Sequence, residues 1–205
     1  MLGKDLGVDI SLGMMFYNEE DCIETGLECF LPYMKDFYAV DMGSTDGCRK
    51  IVSKYTNRIY ENTLNNNFAQ ARNFVRSKCE TRWLFLIDPD EWLREEDKPL
   101  FEQLILDLND KYKDFDAVRI TRHTWADEAM TQKIDTGIYG DPQFKILRNV
   151  NYLTYANPVH ETVVGATKVD TIKHFSTMHS RFVKNKDRQT HMDTLYSWFT
   201  KNRKG

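Results

Sequence analysis

Short apolar runs alternate with segments of helical periodicity along the first half of the chain. The apolar runs predict buried strands at 10–17, 37–42, 58–60 and 83–87. Apolar side chains that recur at helical spacing predict helices at 23–34, 48–55, 68–75 and 100–108. A repeated β-α-β-α order is typical of an α/β fold. We therefore expect a mainly parallel, Rossmann-like sheet flanked by helices.

After position 115 the pattern changes, and strands follow one another with few helices between them. Strands are predicted at 117–124, 143–147, 159–164 and 171–175. The stretch 126–142 has glycines, a proline and little periodicity, which predicts a long mobile loop, and an amphipathic pattern predicts a closing helix at 185–201. No internal repeat or low-complexity linker interrupts the sequence, so we expect one domain over 1–205.

The composition is that of an ordinary globular protein, and its cysteine usage predicts a reducing compartment. A chain of 205 residues can bury a full core without disulfides, and its longest uninterrupted apolar run, 83–87, is far shorter than the roughly 20 residues of a membrane span. Acidic residues near the start leave no apolar segment for a signal peptide. None of the four cysteines forms a Cys-x-x-Cys pair, which favours reduced thiols. We expect a cytoplasmic protein.

The net charge of −3 is unevenly distributed. From Val169 onward there are eight Lys or Arg against three Asp, a balance of +5, so the preceding residues carry −8. A basic end of this kind can contact a phosphate backbone or an anionic membrane surface, or it can be the solvated face of a helix. The acidic remainder weakens the case for general nucleic-acid binding.

Acidic and polar side chains follow three of the predicted strands. Asn18, Glu19 and Glu20 come after the first strand, Asp41 ends the second, and Asp-Pro-Asp-Glu at 88–91 follows the fourth. Ligands of open parallel sheets bind at this carboxyl edge. Converging carboxylates repel one another unless a cation or a nucleotide's donor groups compensate them. Their hard oxygen atoms suit Mg²⁺ or Mn²⁺, either of which could bridge a diphosphate.

Phosphate neutralisation has to come from a metal and basic side chains. Neither Gly-x-Gly-x-x-Gly nor the Gly-Lys-Ser/Thr loop is present. Arg72, just beyond the third predicted strand, is well placed to contribute a positive charge.

Four motifs in this order resemble family 2 glycosyltransferases of GT-A fold. They are Asn-Glu-Glu at 18–20, Val-Asp-Met-Gly-Ser-Thr-Asp-Gly at 40–47, Phe-Ala-Gln-Ala-Arg-Asn at 68–73 and Leu-Ile-Asp-Pro-Asp-Glu at 86–91. The resemblance is strongest over 9–93 and continues through Val-His-Glu at 159–161 and Ile-Lys-His-Phe-Ser at 172–176. These later motifs resemble the small bacterial enzymes that add sugars to lipopolysaccharide core.

The resemblance implies a role for each motif residue. A half spanning 9–110 would bind the nucleotide sugar, and a half spanning 111–205 would meet the acceptor. The residues implied in nucleotide-sugar binding are Asn18, Glu19, Asp41, Ser44, Asp46, Arg72, Asn73 and Asp88. Asp90 would bind Mn²⁺ or Mg²⁺, with His174 or His160 as a further ligand. The other histidines, His123, His179 and His191, are interpreted as structural or solvated.

Family members transfer sugar with inversion, which requires a base to deprotonate the acceptor hydroxyl. Glu161 is the predicted base and Glu91 the alternative, although Glu161 could instead form a structural salt bridge. The metal would stabilise the nucleoside-diphosphate leaving group, and closure of the loop at 126–142 would exclude water.

The implied reaction is transfer from a nucleotide sugar, UDP-linked rather than GDP-linked, to a glycan or lipid-linked saccharide. A hydroxylated base in DNA is an alternative acceptor, and such a base would have to leave the stack. A nucleotidyltransferase and a non-catalytic nucleotide- or nucleic-acid-binding module are further alternatives. The presence of both Asp88 and Asp90 argues against the non-catalytic alternative.

Overall fold

Ten strands and four α-helices are formed by residues 6–63, 67–125 and 141–180, the part of the chain that the computed structural model describes. The helices are α1 (Ile23–Phe30), α2 (Cys48–Val52), α3 (Phe68–Lys78) and α4 (Lys98–Asp107). The strands are β1 (Ile10–Phe16), β2 (Asp36–Asp41), β3 (Ile59–Glu61), β4 (Trp83–Ile87), β5 (Glu91–Trp92), β6 (Ala117–Trp125), β7 (Asp141–Arg148), β8 (Thr154–Ala156), β9 (Thr162–Val164) and β10 (Val169–Ser180).

Eight of these strands form one sheet in the order β3-β2-β1-β4-β7-β6-β10-β5, and β8 and β9 form a separate hairpin. Strands β3, β2, β1 and β4 are parallel neighbours. β7 is antiparallel to both β4 and β6, β10 is parallel to β6, and β5 is antiparallel to β10. The predicted α/β architecture with a single mainly parallel sheet is therefore confirmed, with its antiparallel pairs in the second half.

Helices cover both faces of the sheet because the central strands are apolar on both sides. Every residue of β1 and β4 is buried. One face packs against α1, α2 and α4, where Phe30, Phe85 and Phe101 lie with ring centroids 5.1–5.4 Å apart. The other face packs against α3 and the β8–β9 hairpin. At Gly13 in β1, a Cβ atom would lie 2.8 Å from Val75 of α3, so glycine allows that helix to approach the sheet closely.

The structure departs from the sequence prediction at several elements. β5 and β8 were not expected, only Thr162–Val164 of the predicted strand at 159–164 is extended, and β10 is longer than predicted. Leu100, placed with the core side of α4 by its spacing, is 39% exposed. Positions 141 and 142 of the predicted loop begin β7. The rest of that loop, the closing helix at 185–201 and the basic residues beyond position 180 lie outside the described residues.

None of the helices in the described ranges is long and apolar enough to cross a membrane. All four cysteines are free thiols, as their spacing predicts.

Asp116 fastens the hairpin side of the domain to the sheet. Its two carboxylate oxygens accept hydrogen bonds from the Tyr152 hydroxyl at 2.6 Å, from the Thr167 amide at 2.8 Å and hydroxyl at 3.0 Å, and from the Lys168 amide at 3.0 Å. Burial raises the pKa of this carboxyl, but the hydrogen bonds outweigh burial and hold the pKa well below its ordinary value. Ionised Asp116 therefore stabilises the fold.

We expect Asp116→Asn to lower the free energy of unfolding by about 2 kcal/mol at pH 7, because the new amide group faces donors. A carboxyl whose pKa is lowered by folding stabilises the protein above its unfolded pKa, about 3.9, and loses that contribution as the pH falls further. Urea unfolding at pH 7 and pH 3 measures both effects. Equal pH dependence in the variant and the wild type would contradict this role.

Candidate active site

The parallel order β2-β1-β4 brings the motif residues of three strands to one edge of the sheet. Phe16 of β1 pairs with Asp41 of β2, and Met14 of β1 pairs with Ile87 of β4, so these strands end at similar heights. Asn18 and Asp88 follow their strands by one or two residues. The predicted convergence of polar side chains at the carboxyl edge is thus present in the structure.

Two loops at this edge hold each other in place. The backbone amide of Asn18 donates to the Ser44 hydroxyl oxygen at 3.2 Å. The Glu20 amide donates to Asp46 at 3.0 Å, and the Glu20 carboxylate accepts from the Gly47 amide at 2.6 Å. Asn18 adopts a positive φ of 52°, a conformation that asparagine tolerates better than most residues. These contacts hold the loops at 18–20 and 41–47 together, and the two loops form a preorganised wall beside the ends of β1 and β2.

Asp41 and Glu19 are buried at the base of that wall. One carboxylate oxygen of Asp41 accepts from the amides of Gly43 and Ser44, at 3.1 and 2.8 Å. The other oxygen lies 3.4 Å from the Arg49 guanidinium. Asp41 therefore shapes the loop as well as presenting a carboxylate oxygen at the sheet edge.

Arg72 joins the two halves of the site. Its Nη2 donates to Asp88 at 3.0 Å, and its Nε donates to Glu161 at 2.6 Å. The guanidinium also lies over the Tyr155 ring, 5.8 Å from its centroid. Arg72 is only 9% exposed, so both ion pairs form in a region where water screens them weakly. One side chain of α3 therefore fixes a carboxylate after β4 and a carboxylate before β9.

Positive charge keeps Asp88 ionised. Burial raises the pKa of this carboxyl, but attraction to Arg72, Lys145 and Arg122 outweighs burial, and the pKa lies well below its ordinary value. Asp88 is consequently a carboxylate acceptor at neutral pH.

Helix α3 positions Glu161 by holding the β8–β9 hairpin, whose connecting loop contains Glu161. Both polar atoms of the Asn73 side chain bond to the backbone of Tyr155, at 2.8 and 2.9 Å. Arg76 donates to the carbonyl groups of Leu153 and Val150. Asn73 was predicted among the nucleotide-sugar-binding residues, but both polar atoms of its side chain are used in this attachment. In the structure, the Asn73 side chain holds the hairpin against α3.

His179 is the histidine that contacts Asp90. Its Nε2 lies 3.2 Å from Asp90 Oδ2, and both residues are buried. His174 and His160, the predicted further ligands of the metal, are both exposed. His179 is therefore not solvated, and it lies at the carboxylate that is predicted to bind the metal.

A register shift in β10 separates His174 from His179. Ile172 pairs with Ile120 of β6, but Ser176 pairs with Thr121, so positions 173–175 have no partner in β6. His174 lies in this interruption. Beyond it, β10 resumes pairing and sets His179 opposite Glu91 of β5. The sequence pattern gives no sign of such a shift.

Glu91, the alternative base, is inaccessible. Its side chain is fully buried, and Oε1 accepts from Lys145 Nζ at 2.7 Å. It begins β5. A base has to come within hydrogen-bond distance of the acceptor hydroxyl. This placement argues against Glu91 and leaves Glu161, which is partly exposed, as the candidate base.

The charges around the turn at 88–91 do not balance among the described residues. Ion pairs connect the three cations Arg72, Arg122 and Lys145 with four carboxylates, those of Asp88, Glu91, Asp141 and Glu161, and a fifth carboxylate, that of Asp90, faces the imidazole of His179. A divalent cation would offset this excess. The described residues hold no group of three His, Cys, Asp or Glu side chains that could bind a metal. Asp90 and His179 fit a site in which donor phosphates and water complete the coordination.

The sequence profile of glycosyl transferase family 2 matches residues 11–170. The chain belongs to this family. The match covers both the carboxyl-edge loops and Glu161. No curated protein sequence matches the chain significantly. The resemblance to the lipopolysaccharide-core branch therefore stays a prediction.

Solved structures share the GT-A fold of this domain at low sequence identity. Glucosyl-3-phosphoglycerate synthase from Mycobacterium tuberculosis, with Mn²⁺, UDP-glucose and phosphoglyceric acid, has a TM-score of 0.61 and 14% identity, covering 92% of this chain and 77% of that one. Staphylococcus aureus TarS 1–349 has a TM-score of 0.58 and 13% identity, covering 84% and 60%. The mannosyltransferase PcManGT from Pyrobaculum calidifontis, with GDP-Man and Mn²⁺, has a TM-score of 0.57 and 13% identity, covering 97% and 66%.

The chain thus spans about 60% of the TarS structure. At these identities the likeness concerns the fold.

Proposed function

We propose that this domain is a metal-dependent, inverting glycosyltransferase that transfers a sugar from a nucleotide sugar to a hydroxyl group of a glycan or lipid-linked saccharide. The observation that carries the proposal is the pairing of Asp90 with His179 beside Asp88 and Glu161, which Arg72 connects. This arrangement lies at the carboxyl edge of a family 2 domain, the edge where open parallel sheets bind ligands.

A UDP-linked sugar is the proposed donor. Two structures of similar fold contain such donors: TarS 1–349 with UDP-GlcNAc, and the M. tuberculosis synthase with Mn²⁺ and UDP-glucose. In the proposal, the wall formed by 18–20 and 41–47 holds the nucleobase and ribose, and Asp88 contacts the ribose. Ser44 and Asp46 shape this pocket through their bonds to the first loop.

Asp90 and His179 would hold Mn²⁺ or Mg²⁺. A bound divalent cation stabilises the charge that develops on the departing nucleoside diphosphate. A carboxylate and an imidazole are suitable protein ligands for Mn²⁺, and the separation of 3.2 Å between Oδ2 and Nε2 allows both to reach one ion. The buried surroundings strengthen the attraction between these side chains and a cation.

Glu161 is the proposed base. In a single displacement it would accept the proton of the acceptor hydroxyl as that oxygen attacks the anomeric carbon. One of its oxygens accepts from Arg72 at 2.6 Å, which fixes the orientation of the carboxylate and leaves the second oxygen for the acceptor. Arg72 therefore positions the base while it also holds Asp88.

The experiment that tests this proposal is a panel of UDP-, GDP- and CMP-sugars, each assayed with Mn²⁺ and with EDTA. We expect one UDP-sugar to raise the melting temperature only when Mn²⁺ is present, since the metal and the diphosphate bind together. Slow hydrolysis of the same donor should accompany the shift. Stabilisation by a GDP-sugar instead would show that the donor is GDP-linked and not UDP-linked. No metal-dependent stabilisation by any donor would contradict the proposed function.

A further inference from the structure

A β-bulge in β7 directs Lys145 into the protein interior. Val118 of β6 pairs with Ile146, and the next residue, Arg119, pairs with Phe144, so Lys145 has no partner in β6. An extra residue of this kind interrupts the alternation of side chains and changes where one of them points. The Lys145 side chain is almost completely buried, and its Nζ donates to Glu91 Oε1 at 2.7 Å.

The buried pair formed by Lys145 and Glu91 has little value for stability alone. Removing two charges from water costs hydration free energy, and their mutual attraction barely offsets that cost. Apolar residues of similar volume commonly stabilise a fold as well or better. A lysine delivered by a bulge to a fully buried glutamate therefore calls for another explanation. The explanation lies in what Glu91 adjoins.

Glu91 connects the turn at 88–91 with the strand that carries His179. It follows Asp90 directly, and in the β5–β10 ladder it pairs with His179. Arg122 approaches the same carboxylate, with Nη1 3.9 Å from Glu91 Oε1 and 3.7 Å from Asp88 Oδ2. Glu91 is thus held from β7 and β6 while its backbone fixes the positions of Asp90 and β10.

We propose that Lys145 is a positioning residue: by anchoring Glu91 through their buried ion pair, it orients Asp90 and His179 to bind a divalent cation. The inference rests on the proposed function for the identity of the ligand. It concerns a residue to which the proposed function assigns no role, and it follows from the bulge, the burial of the pair and the ladder between β5 and β10.

The test compares Mn²⁺ binding by the wild type and by Lys145→Met/Glu91→Met, which removes both charges without leaving one unpaired. Bound Mn²⁺ is followed by electron paramagnetic resonance, with UDP or GDP present according to which stabilises the wild type. We expect the double variant to melt cooperatively but to bind Mn²⁺ at least about ten-fold more weakly, as when outer partners of metal ligands are lost. The single variant Lys145→Arg keeps the positive charge beside Glu91 and should retain most of the wild-type affinity for Mn²⁺.

A matched pair far from the turn is the control. Lys54 Nζ lies 2.9 Å from Glu24 Oε1 on the surface, and Lys54→Met/Glu24→Met should leave Mn²⁺ affinity unchanged. Wild-type affinity in the Lys145 double variant would overturn the inference. If that variant does not fold, Glu91→Gln decides, because unchanged Mn²⁺ affinity there would equally overturn it. Absence of Mn²⁺ binding by the wild type with either nucleotide would instead contradict the proposed function itself, and the inference with it.

Discussion

Glu161→Gln is expected to lower kcat for sugar transfer by about 10²–10⁴-fold, the usual contribution of a general base. The amide oxygen can still accept the hydrogen bond that Arg72 Nε makes to Glu161. The shape of the site is therefore retained, and only the ability to take a proton is lost. Steady-state kinetics with a saturating acceptor measure the effect, and KM for the donor should change by less than about three-fold because the lost step follows donor binding.

Glu28→Gln makes the same chemical change on the exposed face of α1 and should leave kcat unchanged. The alternative role of Glu161, a purely structural salt bridge with Arg72, has a different signature. In that case Glu161→Gln would lower the melting temperature with little effect on kcat in the protein that remains folded. Such a result would contradict the assignment of Glu161 as base.

Asp90→Asn is expected to abolish the stimulation of turnover by Mn²⁺ and to lower kcat/KM by about 10²–10³-fold, since a metal supplies several kcal/mol of charge stabilisation. The substitution replaces a charged oxygen ligand by a neutral amide, and hard divalent cations favour carboxylates. The residue is buried beside His179, the other proposed ligand. Titration of activity with Mn²⁺ measures the loss.

Asp110→Asn, on an exposed turn, is the matched control and should keep the metal dependence. The experiment also separates the other functions. A nucleotidyltransferase would likewise lose metal-dependent turnover with Asp90→Asn, but with a different product. A binding module would keep its affinity for a partner. Unchanged Mn²⁺ stimulation in Asp90→Asn would show that the metal, if one is used, binds elsewhere.

The architecture could be predicted because the apolar pattern is unambiguous where strands are buried on both faces. β4 is a continuous apolar run, and all five of its residues are buried as expected. The rule that ligands bind at the carboxyl edge then predicted that Asp41 and Asp88 lie at the same edge of the sheet. That prediction needs only the direction and order of the strands. Short elements escaped prediction: β5 has two residues, too few for any periodic signal.

The partners within the site could not be predicted, because irregular strand pairing determines them. The interruption at 173–175 puts His179 rather than His174 beside Asp90. The bulge at Lys145 buries a lysine within a strand whose pattern gives it no special place. Asn73 matched the family motif, yet its side chain bonds to Tyr155, a residue 82 positions later in the chain. Sequence gives the residue types, and long-range pairing decides their neighbours.

Anomalous diffraction from crystals soaked with Mn²⁺ and UDP tests the central claim most directly, because Mn²⁺ scatters anomalously and its position follows without assumptions about mechanism. We expect one strong peak roughly 2.2 Å from both a carboxylate oxygen of Asp90 and a ring nitrogen of His179, with the diphosphate as a further ligand. A peak bound to His174 or His160 would correct the ligand set. Nucleotide bound at the carboxyl edge with no manganese near Asp90 would contradict the metal-dependent mechanism proposed for this glycosyltransferase.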